Sequence, residues 1–190
     1  TNFGGGWHSD MSFLEEPALG SVLHAIDVPP YGGDTLFADQ QAAYDRLSDG
    51  LKATLQGMTA IHTASKEYGA DGYSAAVRQS MDAKAAPDAP EYEHPVIRTH
   101  PETGERAIYV NTAFTSHIDG LDEAESRWLL DHLFATARDA EIQCRFRWRA
   151  GSIAFWDNRA CQHFAASDYF PARRVMERVT IAGDRPYFEA

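Results

Sequence analysis

Two distant stretches carry the side chains best suited to chemistry. Trp7-His8-Ser9-Asp10 sets an imidazole and a carboxylate two residues apart, and Phe155-Trp156-Asp157-Asn158-Arg159-Ala160-Cys161-Gln162-His163 ends an apolar run with another imidazole. On an extended strand, residues i and i+2 share a face, so His8 and Asp10 are expected to point the same way. Two imidazoles and one carboxylate around an open metal position form the donor set of non-haem Fe(II) oxygenases. A second H-x-D, His117-Ile118-Asp119, lies upstream of His163. There Asp119-Gly120 reads as a turn, which would break the extended geometry, so His8 and Asp10 are preferred. A lone histidine is ordinarily a hydrogen-bonded core residue. His163, however, has Asn158 and Gln162 nearby as partners that could orient it.

Arg174 and Arg178 are the next signal. They sit four apart on an expected strand from Arg174 to Ala182, with Met176 between them on one face. At ~3.3 Å per residue their Cα atoms stand about 13 Å apart. Val175, Glu177, Val179 and Ile181 take the other face. Guanidinium groups on a core strand are costly unless each finds an anion. The anions are either surface carboxylates of this acidic chain or the carboxylate or sulfonate of a ligand, gripped bidentately.

The elements that must position these groups are mostly strands. Ser9 to Phe13, Ser21 to Asp27, Thr35 to Ala38, Thr59 to Thr63, His94 to Thr99, Glu105 to Asn111, Glu141 to Arg149, Ile153 to Trp156 and Arg174 to Ala182 read as extended. Pro101-Glu102-Thr103-Gly104 reads as a hairpin turn. In Glu141 to Arg149, Ile142, Cys144, Phe146 and Trp148 alternate with polar residues, as on a half-buried strand. Helices are expected over Asp39 to Leu47, over Gly50 to Met58 with Ser48 as N-cap, and over Asp122 to Ala137. The last opens on a capping box, Asp122 with Glu125, and repeats Trp128, Leu129, Leu133 and Ala137 at helical spacing. Residues 65–92, rich in Ala, Asp, Gly and Pro, read as a mobile lid loop with a helix around Ser74 to Ala83. Many strands around few helices predict a mainly β jelly roll.

A chain of 190 residues with 44% hydrophobic content predicts one domain, residues 1–190, with a sizeable core. No apolar run approaches the ~20 residues of a membrane span. Two cysteines argue against a disulfide framework and for the cytoplasm. A net charge of −11 disfavours nucleic acid and anionic membranes as partners. No signal peptide is visible, and the chain opens inside a motif.

The blocks W-H-S-D-M-S-F-L-E, P-P-Y-G-G-D-T-L, H-P-V-I-R-T-H-P-E-T-G, Y-V-N, W-D-N-R-x-x-Q-H and R-R-V-M-E-R-V-T-I-x-G-D occur in this order along nearly the whole chain. They resemble the TauD/TfdA family of Fe(II)- and 2-oxoglutarate-dependent oxygenases. The resemblance implies a double-stranded β-helix, the jelly roll of cupin-like proteins, with a few flanking helices. It implies His8, Asp10 and His163 as iron ligands, and Thr35 and Arg174 as the grip on the distal carboxylate of 2-oxoglutarate. Arg178 would meet the anionic group of the primary substrate, and Phe13, Trp156 and Phe164 would form an apolar wall if they are not simply core. The implied reaction uses Fe(II), 2-oxoglutarate and O2 to hydroxylate a small anionic substrate, a sulfonate, sulfate ester or aryloxyalkanoate, releasing succinate and CO2. A homo-oligomer, dimer or tetramer, is also expected. Two departures stand out. The family carries a segment before the H-x-D that is expected to be missing here, and Gly4, Gly5 and Gly6 stand where taurine dioxygenases use polar residues, which argues against taurine itself. Two rival readings are a non-enzymatic jelly-roll anion-binding module and a zinc hydrolase using the same His/Asp/His donors.

Overall fold

A computed structural model describes residues 4–68 and 90–190 of the chain. In chain order its elements are β1 (Gly20–Asp27), β2 (Thr35–Asp39), α1 (Gln40–Asp45), α2 (Asp49–Leu55), β3 (Thr59–Thr63), α3 (Ser65–Tyr68), β4 (Glu91–Pro95) and β5 (Ile97–Thr99). These are followed by β6 (Arg106–Ile108), β7 (Thr115–Ile118), α4 (Glu123–Thr136), β8 (Gln143–Phe146), β9 (Ile153–Asp157), β10 (Cys161–Ala165) and β11 (Val175–Ile181). Two antiparallel sheets, β11-β1-β9 and β10-β2-β8, face each other as the two layers of a jelly roll. Their inner faces meet in one cluster: Ala25 and Leu23 of β1, Ala154 and Trp156 of β9 and Met176 of β11 pack on Phe37, Phe146 and Cys161 from the other layer. Strand alternation explains the selection, since Ile153 and Phe155 on the outer face of β9 are 64% and 60% exposed.

A second core lies beside the jelly roll. Sheet β4-β3-β7 and hairpin β5-β6 pack against α1, α2 and α4 through Tyr44, Leu55, Ile97, Ile108, Ile118, Leu129 and Leu133. The helix starts follow local chemistry. Asp39 accepts from Gln41 N and Ala42 N to open α1, Ser48 accepts from Leu51 N to open α2, and Asp122 with Glu125 closes a full capping box on α4.

Several expectations are corrected. Ser9 to Phe13 is a turn rather than a strand, with Met11 at φ 57° and the Met11 carbonyl accepting from Leu14 N. His94 to Thr99 is two strands: Val96 hands the chain from sheet β4-β3-β7 to hairpin β5-β6, and Pro95, lacking an N–H, sits at the exchange. The strand expected over Glu141 to Arg149 is only Gln143–Phe146, because Asp139 caps a 3-10 turn at Ala140–Ile142, and Cys144 is exposed. Trp128 is not on the buried stripe of α4 but 70% exposed; Ser126, Leu129, Leu130, Leu133 and Phe134 form that stripe. Of the expected lid, α3 and the start of β4 take the two ends, and the helix expected around Ser74 to Ala83 lies outside the described residues.

Candidate metal centre

His8 and His163 are brought together by backbone, not by side-chain attraction. His8 N donates to His163 O at 3.1 Å and His163 N to His8 O at 2.8 Å, an isolated antiparallel bridge onto β10. Directly opposed residues project to the same face, and the two rings lie 4.1 Å apart between centroids. The same rule carries across β2, where Phe37 opposes His163 and Thr35 opposes Ala165. Thr35, Phe37 and His163 therefore share the inner face of their sheet. His8 Nδ1 lies 2.7 Å from the Gly6 carbonyl, which assigns the proton to Nδ1 and leaves Nε2 as the free lone pair. His163 packs at a tilt against Trp156 and stacks on Phe37, and its buried Nδ1 has no hydrogen-bond partner among the described residues. Burial, followed by the nearby His8, pushes His163 down to about 3, so its ring is neutral near pH 7.

Asp10 reaches the same point from a turn. Its N–H donates to Asn158 Oδ1 at 3.2 Å; its Oδ2 accepts from Ser21 Oγ at 2.8 Å and from Asn158 Nδ2 at 3.3 Å. With Oδ2 held, Oδ1 faces His8 Nε2 at 3.8 Å, His163 Nε2 at 3.7 Å and Arg178 Nη1 at 3.2 Å. Burial works to raise the Asp10 carboxyl, but His163, His8, the Ser21 hydroxyl and Arg178 together hold it below its ordinary value. All three residues are buried, and their ligand atoms lie within 4.8 Å of one another. Two donors on one ion at about 2.1 Å each stand no more than ~4.2 Å apart, and both histidine–carboxylate separations fall inside that limit. Two imidazoles, each with its Nε2 turned to a buried carboxylate, fit a divalent metal.

The three side chains open into a cavity of about 480 Å³, within the roughly 300–1,000 Å³ of small-molecule sites. Thr35, Leu23, Phe114, Trp156, Met176, Arg174 and Arg178 line it with them. Arg174 is the notable member. Its Nε is buried without a hydrogen-bond partner among the described residues, and its guanidinium lies 5.8 Å from the Tyr169 ring and 6.0 Å from the Trp148 ring. Burial lowers its pKa, with Tyr169 and Asp34 opposing the shift. Gly33, at φ +70°, makes room: a Cβ there would stand 3.0 Å from Arg174 Cδ and 3.1 Å from its Nε. Thr35 Oγ1 accepts from Trp148 Nε1 at 3.0 Å.

Comparison with known proteins bears on this geometry. Residues 1–180 match the family described as taurine catabolism dioxygenase TauD, TfdA family. The chain belongs to this family. It is similar to the alpha-ketoglutarate-dependent sulfate ester dioxygenase of Pseudomonas putida, 36% identical over 95% of this chain and 60% of that protein. It is also similar to the alpha-ketoglutarate-dependent 2,4-dichlorophenoxyacetate dioxygenase of Cupriavidus pinatubonensis, 39% identical over 94% of this chain and 60% of that protein. Among solved structures, a taurine dioxygenase from Burkholderia xenovorans superposes with a TM-score of 0.81 at 37% identity, covering 98% of this chain and 60% of that one. AAD-2 in complex with Mn(II) and N-oxalylglycine superposes with a TM-score of 0.83 at 30% identity, covering 98% and 71%. The chain spans 60% of the length of each of these two curated relatives.

Within the TauD/TfdA fold, the remaining expected site residues are divided. Trp156 lines the cavity, donates its indole N–H to Asn158 Oδ1 at 3.0 Å and packs at a tilt against His163. Phe13 and Phe164 do not line it. Phe13 packs behind Phe114 at 5.0 Å, while Phe164 alternates to the other face of β10 and meets Trp7 at 5.8 Å. Asn158 serves Asp10 rather than His163, and Gln162 turns away to Gln40 and the Val110 carbonyl. His117 and Asp119 are exposed. Ser21, Phe114 and Gly33 escaped the sequence reading. Only the Gly32-Gly33 pair left a trace there, inside the block P-P-Y-G-G-D-T-L, where nothing marks it as space for an arginine.

Proposed function

We propose that this chain is the metal- and 2-oxoglutarate-binding core of a dioxygenase that hydroxylates a small anionic substrate, a sulfonate, sulfate ester or aryloxyalkanoate. One observation carries the reading: the cavity lined by His8, Asp10 and His163 is also lined by Arg174, a partly buried guanidinium with no acceptor at Nε among the described residues. Fe(II) held by the three donors, with 2-oxoglutarate and O2, would supply the oxidising power for hydroxylating a C–H bond, with succinate and CO2 as co-products. Arg174 binds the distal carboxylate. Thr35 joins it, because an oxygen that already accepts the Trp148 N–H keeps its own proton for an anion. Arg178 reaches the same cavity and takes the anionic group of the substrate, positioning one C–H bond for attack. Leu23, Met176, Phe114 and Trp156 supply the apolar wall that limits water. Ser21 and Asn158 keep Oδ1 of Asp10 turned toward the ion.

Membership of the TauD/TfdA family, and relatives named for alpha-ketoglutarate-dependent dioxygenation, support this reading over a zinc hydrolase or a passive anion binder. A hydrolase has no use for a second carboxylate clamp. The unpaired Cys144 and Cys161 support a reducing compartment, the cytosol. The deciding experiment is succinate release from 2-oxoglutarate with a panel of small sulfonates, sulfate esters and aryloxyalkanoates. Release dependent on Fe(II), O2 and one class of anion is expected. Turnover of substrate without 2-oxoglutarate would place the protein among hydrolases.

A further inference from the structure

Behind the cavity wall lies a buried polar unit that the proposed reaction does not use: His62 of β3, His94 of β4 and Asn111 before β7, none more than 1% exposed. His62 Nδ1 stands 3.0 Å from Ser12 Oγ, and Asn111 Nδ2 donates to that same oxygen at 2.9 Å. Thr115 Oγ1 accepts from Asn111 N at 2.9 Å and lies 3.4 Å from His62 Nε2. His94 Nε2 lies 2.8 Å from the Leu14 carbonyl, and Asn111 Oδ1 accepts from Phe114 N at 2.9 Å. The His62 ring stacks on Tyr109 at 5.6 Å and meets His94 edge-on at 5.4 Å. Burial lowers the pKa of both histidines. Buried polar groups cost stability until every bond is made, and apolar side chains would fill the same space more cheaply. What the unit holds is therefore informative. Ser12 and Leu14 belong to the turn that follows Asp10. Phe114 lines the cavity and meets the His8 ring edge-on at 6.0 Å. Thr112 Oγ1 and Ala113 N donate to the Trp7 carbonyl, one residue before His8.

We propose that His62 is a positioning residue for the metal centre: through Ser12 Oγ it fixes the turn that presents Asp10, and with Asn111 it braces the loop against which His8 rests. This rests on His8, Asp10 and His163 being the ligands. It gives sheet β4-β3-β7, which lies outside the jelly roll, a function in the site.

The test is Co(II) titration of the metal-free protein, read by the visible d–d spectrum, with thermal unfolding of the metal-free form measured alongside. His62→Phe keeps a ring on Tyr109 but loses both nitrogens; Ser12→Ala removes only the shared oxygen. Each is expected to weaken Co(II) binding by about 10- to 100-fold, the usual effect of removing a residue that orients a ligand, and to change the spectrum. His62→Asn, whose amide nitrogen takes the place of Nδ1, should restore most of the affinity. If His62→Phe lowers the unfolding temperature yet leaves Co(II) affinity and spectrum as in the parent, His62 merely packs and the proposal is overturned. If His62→Phe does not fold, Ser12→Ala decides by the same two readouts. His163→Ala is the control. Loss of the Co(II) site there, with parental binding in Ser12→Ala, overturns the positioning role alone. Undiminished binding in His163→Ala overturns the ligand assignment and this proposal with it.

Discussion

A guanidinium whose buried Nε has no acceptor among the described residues is poised for an anion, and the space over Gly33 leaves room for Arg174 to lie there. A charge-assisted hydrogen bond contributes about 1.5–3 kcal/mol. Arg174→Ala should therefore raise the 2-oxoglutarate concentration needed for half-maximal succinate release by roughly 10- to 100-fold, with a much smaller change for the substrate. The reverse pattern would exchange the roles of Arg174 and Arg178. Asn158 offers a second test. Asn158→Asp keeps the oxygen that accepts from Asp10 N and Trp156 Nε1 but replaces the donor to Asp10 Oδ2 with a like charge. Metal affinity, measured by titration calorimetry with Mn(II), should fall about 10-fold or more. These residues differ in how far sequence reveals them. Histidines, a carboxylate and paired arginines are chemically distinctive and fall in short motifs. Ser21 is an ordinary strand serine, and nothing local shows that its hydroxyl meets Asp10. Asn158 was visible, but its partner was not, because that contact spans 148 residues of chain.

Elements whose signals are local could be read from the sequence, and those set by distant partners could not. The starts of α1, α2 and α4 are written in side chains that cap their own backbone, Asp39, Ser48 and Asp122. Asp122→Ala should cost about 1 kcal/mol, a fall in Tm of roughly 2–4 °C for a chain of this size, with succinate release per folded molecule unchanged. A change in turnover would show that α4 is coupled to the site. The strand at Val96 changes partners, and no periodicity reports that. Ser9 to Phe13 alternates as a strand would, yet the Asn158 amide and the left-handed Met11 fold it into a turn. The proposed ligand pair is thus one the sequence suggests through a geometry that the chain does not adopt: the bridge to β10 aims His8, and the grip of Ser21 and Asn158 aims Asp10. The stripe on α4 was misread at Trp128 because helical spacing marks a face without marking its edge.

At the scale of the whole molecule, a chain of net charge −11 concentrates two arginines at one cavity formed between two sheets. The mainly β jelly roll was legible from the count of short strands. The pairing order β11-β1-β9 against β10-β2-β8 was not, since it joins the two ends of the chain. A metal that binds only the folded form stabilises it by about 2.7 kcal/mol at 100 times its Kd. Mn(II) should accordingly raise the Tm of the parent by several degrees and leave His163→Ala unmoved; an equal rise in both would put the ion elsewhere. The most direct measurement is the visible absorption of the protein under anaerobic conditions as Fe(II) and then 2-oxoglutarate are added. A weak charge-transfer band is expected only when both are present, and absent from His163→Ala and from Asp10→Ala. No band in the parent, or an undiminished one in either variant, would contradict the assignment of His8, Asp10 and His163 as the iron site.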